Sequence, residues 1–515
     1  MNAHRVVVVG AGMGGLVAAL QLAHQGLDVT VVEAAATPGG KLRQVMVDGQ
    51  PIDSGPTVFT MRWVFDQLLA SVGTRLENEL RIQPLPVLAR HWWAGDGQGE
   101  GSQLDLLADP AQAFDAVARF AGPDEARRFQ AFCAEARRVY QALEAPYIQR
   151  ASTGPLALTM NLGLRGLATL SALGPLRSLW HTLGRHFHDP RMRQLFARYA
   201  TYTGSSPWQA PATLMLIAQV ELDGVWSVDG GMHALARCLE RLARERGATF
   251  RYQSPCEQIE LRRGRVAAVR LTSGETLTAD SVVFNGDAAA LRAGLLGKGP
   301  RRAVQRKAPP RSLSAITWSI NAPTSGLALD RHNVFFQRNY ANEFDDIFRA
   351  GRLPRQPTVY VCAQDRGIPD VPTGAERLLC LVNAPAAGDC DSISPEAIEQ
   401  CENNTWALLR RCGLNMQPTQ RQVVRTTPTD FHHLFPATGG ALYGQASHGW
   451  TSAFARSGAR TPVPGLYLAG GSVHPGPGVP MAALSGLRAV EAVMANPALT
   501  RWCPPVATSG GTSTP

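Results

Sequence analysis

Five residues into the chain, the four valines Val6 to Val9 run directly into a turn that holds Gly10, Gly12, Gly14 and Gly15. A helical gap closed by Gly26 then leads to Val29, Thr30, Val31, Val32 and Glu33. Strand, glycine turn, helix, strand and terminal acid is the order of a βαβ unit that binds a dinucleotide. In that unit Gly10 makes the tight turn, Gly12 lets backbone approach a pyrophosphate, and Gly15 lets the helix pack close to the strand. The helix start adds free N–H groups and the positive end of a dipole for the phosphates. Glu33 is placed to accept from ribose hydroxyls, and an acid there disfavours a 2′-phosphate. A glycine-rich hairpin would share the glycines but not the flanking strands, helix and acid.

The 515 residues exceed what one simple core organises, so two or more domains are expected. Hydrophobic content of 45% against 18% charged residues indicates a globular protein. Fifty Lys and Arg against 41 acids give a net charge of +9, which favours anionic partners. No nucleic-acid module or basic strand set interleaved with aromatics is present, so an anionic lipid surface is the better expectation and nucleic acid is not a partner. Nine cysteines, scattered from Cys133 to Cys503 without a CxxC pair, argue against a disulfide framework or metal site and suit a cytoplasmic protein. The valines enter the glycine turn too early for a signal peptide, and no uniform apolar run is long enough to span a bilayer. Residues 505–515, rich in Ser, Thr, Gly and Pro, are expected to form a disordered tail.

Further along, Thr37 to Arg43 and Ile52 to Thr57 are loops that bring cationic or backbone donors beside the nucleotide. Helical spacing occupies Ala111 to Tyr140. Ala151 to Leu176 is interrupted by a single charge, Arg165, and is followed by the basic run Arg177, Arg185, Arg191, Arg193 and Arg198. An apolar segment followed by a basic one suits a protein lying on an anionic bilayer, and equally a buried helical hairpin followed by a solvated helix. A helix is expected from the turn at Val228 to His233 up to Arg246, and Thr249 to Thr272 reads as short strands in a meander. Another strand is expected at Ser281, strand-like runs fill Arg311 to Cys390, and Glu396 to Cys412 reads as a helix. A last strand enters a loop of glycines and prolines, Gly465 to Pro480, which opens an apolar helix from Met481 to Met494. The start of that helix aims N–H groups at whatever the loop encloses, a geometry suited to developing negative charge.

The first motif, paired with the loop Ala469 to Pro480, resembles the bacterial-type phytoene desaturase family of FAD-dependent carotenoid oxidoreductases, over nearly the whole chain. The stretch Asp53 to Phe65 is most similar to the acyclic 1-hydroxycarotenoid 3,4-desaturases, also called methoxyneurosporene dehydrogenases. Val473 and Pro477 depart from the family's usual loop residues but leave the glycines in place. The resemblance implies an α/β fold: a Rossmann-like FAD-binding domain of the glutathione-reductase-like flavoprotein type, a discontinuous α+β substrate domain and a helical membrane-facing insertion. On this chain the FAD-binding domain would comprise 1–90, 225–300 and 425–500, the helical region 91–224, and the sheet-containing substrate domain 301–424. Gly10, Gly12, Gly14 and Gly15 would hold the pyrophosphate and Glu33 the ribose, with Gly40, Lys41 and Arg43 flanking the phosphates and ribityl chain. Pro56 and Thr57 would approach the isoalloxazine, Cys256 the adenine, and Asn285 with Asp287 the dinucleotide's surroundings. Gly471, Ser472, Val479, Pro480 and Met481 would close over the ring, and the N-terminus of the last helix would stabilise reduced flavin.

The reaction so implied removes hydride to flavin and a proton from the neighbouring carbon, introducing a C-3,4 double bond into an acyclic 1-hydroxycarotenoid during carotenoid biosynthesis. Its substrate is almost wholly apolar, so binding needs an apolar tunnel with few polar handles, opening at the inner face of the cell membrane. Oxygen or a quinone would be the final electron acceptor. Tyr202, Glu221, Asp223 and His474 are the candidates to match the hydroxyl or move a proton. His474 could equally hold its loop through backbone hydrogen bonds. Four rival readings share the first motif: a desaturase of other acyclic carotenes, an amine-oxidase-like enzyme on a soluble amine, a non-redox carotenoid isomerase or carrier that holds FAD, and a nicotinamide-only dehydrogenase, which would seldom need the distant closing glycine loop.

Overall fold

The computed structural model describes residues 4–95, 101–150, 177–367, 374–390 and 393–496, with the single positions 160, 166 and 168. Most of the apolar stretch 151–176 and the expected tail at 505–515 therefore lie outside the described residues.

A five-stranded sheet runs in the order Leu466–Leu468, Ser281–Phe284, Arg5–Val9, Asp28–Val32 and Thr249–Arg251, with every neighbour parallel. The valine run suits the central strand because parallel strands are covered on both faces. Val6 and Val8 join the core formed with Leu16, Leu20, Leu239 and Val490, whereas Val7 and Val9 face Ile259, Val269 and Val282. Helices Met13–His24, Met232–Glu245 and Val479–Met494 contribute to the first core. The second lies under an antiparallel three-stranded meander of Cys256–Arg262, Arg265–Leu271 and Thr276–Thr278. Thr249–Arg251, read above as part of the meander, instead extends the main sheet, since Val31 takes Phe250 as its neighbour. Gly26 takes φ +79° just past the end of the first helix, a left-handed conformation that glycine adopts without steric cost.

The second sheet has seven strands, in the order Val423–Thr426, Ser314–Ala322, Glu376–Ala384, Val359–Ala363, His332–Phe336, Val87–Trp93 and Ser102–Leu107. All its pairings are antiparallel except that of His332–Phe336 with Val87–Trp93. The divisions expected at 90/91 and 424/425 thus fall inside strands, and region 91–224 gives one whole strand and the end of another to this sheet as well as helices. Alternation along these strands builds two environments. Ile316, Trp318, Leu378 and Cys380 pack with Leu408 and Leu409 of helix Pro395–Arg411, while Thr317, Leu379 and Leu381 face a large cavity. Helices Pro110–Ala121, Pro123–Leu143 and Pro190–Ala197 start at prolines and pack Phe129, Phe132 and Phe196 in a core with Trp93 and Phe336.

Candidate active site

The cavity measures about 920 Å³ and extends from the glycine turn to the open face of the seven-stranded sheet. Every expected cofactor residue lines it except Gly15, which stands one step behind the wall. Each glycine of the turn has its own steric reason. A Cβ on Gly12 would lie 2.7 Å from Asn285 Nδ2, and one on Gly15 would collide with the Gly10 carbonyl. A Cβ on Gly14 would lie 2.7 Å from the Gly470 nitrogen, so Gly14 is where the two distant motifs meet. Gly12 and Gly478 begin the first and last helices with no side-chain cap, leaving first-turn N–H groups free for an anion. Glu33 ends its strand with Oε2 accepting from the Ala11 amide at 2.6 Å and Oε1 from the Ala35 amide at 2.8 Å.

Beside this cradle Lys41 is buried, its Nζ donating to the Leu442 carbonyl at 2.6 Å and lying 5.2 Å from the Phe435 ring. Burial pushes its pKa below the ordinary lysine value. Arg43 donates to Thr426 Oγ1 at 2.8 Å and keeps a buried Nε without an acceptor among the described residues. Asn285 Nδ2 donates to the Gly10 carbonyl at 3.2 Å, and its buried Oδ1 has no donor there. The Cys256 thiol is pushed up to about 12 by burial, which leaves it inert. Asp287, expected in the dinucleotide's surroundings, lines the wall and also caps a helix by accepting from the Ala289 amide at 2.9 Å. Ser472 Oγ accepts from the Ala288 amide at 3.1 Å.

The four candidate polar residues separate into two pairs. Tyr202 and Glu221 line the cavity, and the Tyr202 hydroxyl donates to Glu221 Oε1 at 2.6 Å. Asp223 and His474 are corrected by the structure, for neither lines it. Asp223 is exposed and accepts from Gln219 at 2.6 Å. His474 donates from Nε2 towards the carbonyls of Arg150 at 2.9 Å and Tyr147 at 3.1 Å, with Tyr147 edge-on to its ring, so it is a loop anchor. Burial lowers its pKa.

The sequence reading missed several wall residues. Arg198, placed above on a solvated basic face, is 6% exposed and donates from Nη1 to the Tyr202 hydroxyl at 2.7 Å. Its apolar neighbours Leu195, Phe196, Ala197, Tyr199 and Ala200 were the available signal. Arg191 and Arg193 are also engaged. Arg191 bonds Asp189 and covers the Phe120 ring, and Arg193 bonds the Trp180 carbonyl and covers that indole. Arg456, buried with its pKa lowered to about 10, donates to the carbonyls of Tyr443, Gln445 and Gly471 and so ties the closing loop. The Tyr360 hydroxyl lies 2.7 Å from both Thr57 Oγ1 and His332 Nδ1. Thr57 is expected there from the sequence, but nothing in the sequence marks its partners, which stand on the paired strands His332–Phe336 and Val359–Ala363.

Comparison with known proteins agrees with this architecture. Residues 13–494 match the family described as flavin containing amine oxidoreductase. The hydroxyneurosporene desaturase of Rubrivivax gelatinosus is 57% identical, with 100% of this chain and 98% of that protein covered. The hydroxyneurosporene desaturase of Cereibacter sphaeroides is 45% identical over 96% of this chain and 98% of its own length. Among solved structures, putrescine oxidase bound to putrescine superposes with a TM-score of 0.61 at 16% identity, covering 96% of this chain and 99% of that one, a likeness of fold. The glycine cradle, the uncapped helix starts and the unpartnered Asn285 Oδ1 and Arg43 Nε suit a dinucleotide. The chain is an oxidoreductase whose cofactor is FAD, and it belongs to the flavin-containing amine oxidoreductase family, within its bacterial phytoene desaturase-type branch.

Proposed function

We propose that this enzyme is a carotenoid desaturase that introduces a C-3,4 double bond into acyclic 1-hydroxycarotenoids of the hydroxyneurosporene and methoxyneurosporene type. The observation that carries this reading is the continuity of the dinucleotide cradle with a wall of Val334, Leu379, Leu381, Leu216, Ile217 and Val220 in one cavity. Such a wall rewards a polyene at about 25 cal/mol per Å² of apolar surface buried. It offers little to a soluble amine, because the lining carboxylates Glu33, Glu221 and Asp287 already accept from protein donors while Lys41, Arg43, Arg198 and Arg456 repel an ammonium. Bound FAD supplies the hydride acceptor. Thr57 and Tyr360 fix one side of the polyene near the cradle, the loop tied by Arg456 and His474 excludes water, and the aliphatic wall orients the chain by shape. Purified FAD-loaded enzyme given a hydroxylated acyclic carotenoid is expected to yield a product absorbing at longer wavelength. An unchanged spectrum with bleached flavin absent would overturn the desaturase reading, and geometric isomers alone would favour the isomerase reading.

We also infer that the enzyme works peripherally on the inner face of the bacterial cell membrane, where such a substrate is dissolved, and passes electrons to oxygen or a quinone. No helix among the described residues is long and apolar enough to cross a membrane. What supports the peripheral reading is the net charge of +9 and the apolar sequence of 151–176 followed by exposed Arg177 and Arg185.

A further inference from the structure

The short helix Arg198–Thr203 places a charged group where the rest of the cavity is mainly apolar. Arg198 Nη1 reaches the Tyr202 hydroxyl, Tyr202 donates to Glu221 Oε1, and the Tyr199 hydroxyl donates to Glu221 Oε2 at 2.5 Å. The guanidinium carbon lies 5.0 Å and 5.4 Å from the Tyr202 and Tyr199 ring centres. Each oxygen of Glu221 therefore already has a donor. Arg198 is different, since its Nε and Nη2 are buried with no acceptor among the described residues. A buried donor left unmatched is costly, and for a charged group more so than for a neutral one. The unused capacity of the cluster is thus mainly capacity to donate.

Resting on the desaturase reading above, we propose that Arg198 is a specificity-determining residue that holds the substrate's C-1 oxygen, accepting a tertiary alcohol and its methyl ether alike because it reads a lone pair and not an O–H. Its place in the cavity is consistent with the chemistry. Arg198 and Tyr202 line the same cavity as Thr57 and Tyr360, and Tyr360 is hydrogen-bonded to Thr57. In the substrate the C-1 oxygen is attached two bonds from C-3, so the group that holds it must stand beside the reacting carbons. Of two other wall hydroxyls, Thr317 Oγ1 lacks a partner among the described residues and Thr358 Oγ1 stands beside the Glu343 carboxylate. They are neutral and can turn only their hydroxyl hydrogens, which makes them the weaker rivals and the necessary controls.

The test uses FAD-loaded full-length enzyme and three polyenes of equal chromophore length: the 1-hydroxy compound, its 1-methoxy ether and the hydrocarbon. Binding is read by quenching of flavin fluorescence and turnover by kcat/KM. The alcohol and ether are expected within a few-fold of each other, with the hydrocarbon about 10- to 100-fold weaker, the effect of one hydrogen bond to a charged group. In the double variant Arg198→Met/Glu221→Gln, which removes the cation together with its counter-charge, that preference should collapse to a few-fold, while Arg198→Lys retains part of it. FAD content and Tm report whether each variant is folded, and if the double variant is not, the wild-type series with R198K decides. Exclusion of the ether as strongly as the hydrocarbon would overturn the proposal in favour of Glu221 accepting an O–H. A preference that survives in the double variant, or that Thr317→Val and Thr358→Val abolish, would overturn it too. Equal use of all three polyenes sinks this inference alone, whereas failure of the loaded enzyme to bind or desaturate any of them sinks the desaturase reading itself.

Discussion

The contact between the two motifs is most directly probed at Gly14. This residue lies in helix Met13–His24, where alanine is favoured over glycine by about 1 kcal/mol. Against that gain, an added Cβ would lie 2.7 Å from the Gly470 nitrogen, 2.8 Å from Asn285 Oδ1 and 3.0 Å from the Ala482 carbonyl oxygen. Overpacking typically costs about 1–3 kcal/mol, and the upper part of the range applies because two of the three neighbours are backbone and cannot rotate away. The balance is a penalty of about 2 kcal/mol, which corresponds to a FAD Kd weaker by about 30-fold if the strain falls on the closed, loaded state. Fluorescence titration of apoenzyme with FAD measures it. Gly26→Ala is the control, since Gly26 has a left-handed backbone at φ +79°, unlike helical Gly14, and nothing within 4 Å of its Cβ position. That variant should lose about 1–2 kcal/mol of stability with FAD affinity intact. A wild-type Kd for Gly14→Ala, or equal weakening by Gly26→Ala, would refute the argument that this contact sets cofactor retention.

Three other outcomes follow from the same geometry. His91 and His332 are buried with pKa values pushed down to about 3 from 6.5, chiefly by burial. A depressed histidine pKa favours the neutral ring, so stability is complete above 6.5 and falls as pH drops towards 3, at up to about 1.4 kcal/mol per pH unit for each ring. Tm measured from pH 7 to pH 5 should fall, and less steeply in His91→Phe, whose ring keeps the stacking on Trp93 and Phe336; parallel curves would remove His91 as a cause. His474→Ala should weaken FAD binding severalfold through loss of the bonds to Arg150 and Tyr147 while leaving the pH profile of kcat in place, and a displaced profile would return His474 to acid–base candidacy. Charge reversal of the exposed Arg177 and Arg185 should reduce sedimentation with anionic vesicles in a salt-dependent way, and unchanged sedimentation would remove these residues from the membrane-facing surface.

The nucleotide-binding unit was legible because its signal is local and each residue type has one physical use. Four valines that must be covered on both faces, a glycine that must not touch the next carbonyl, and an acid at the end of the second strand all lie within 33 residues. The distal helix was legible for the same reason, though it starts at Val479 and not Met481 because Pro480 suits the first turn. The seven-stranded sheet was only partly legible. Val87–Trp93 takes its neighbour His332–Phe336 from more than 200 residues away, and pairing at that separation leaves no mark on either strand. His474 shows the related limit that a polar residue in a glycine loop reads as a ligand, when holding a carbonyl uses the same atoms.

Arg198 exposes a different limit. A run of arginines reads as a solvated face because desolvating a guanidinium is costly, and that prior is correct for Arg177 and Arg185. It fails where the chain supplies a compensating acid from another segment, as Glu221 does through Tyr202 and Tyr199. Burial acts to lower the Arg198 pKa, but Tyr202 and Glu221 beside it more than offset that, so the cation is kept inside a cavity shaped for hydrocarbon. A purely hydrocarbon ligand gives no return on such an arrangement, since apolar residues of similar volume would be at least as stable there. On the assignment proposed for Arg198, the return comes from a ligand whose greasy length carries an oxygen near the place where it reacts.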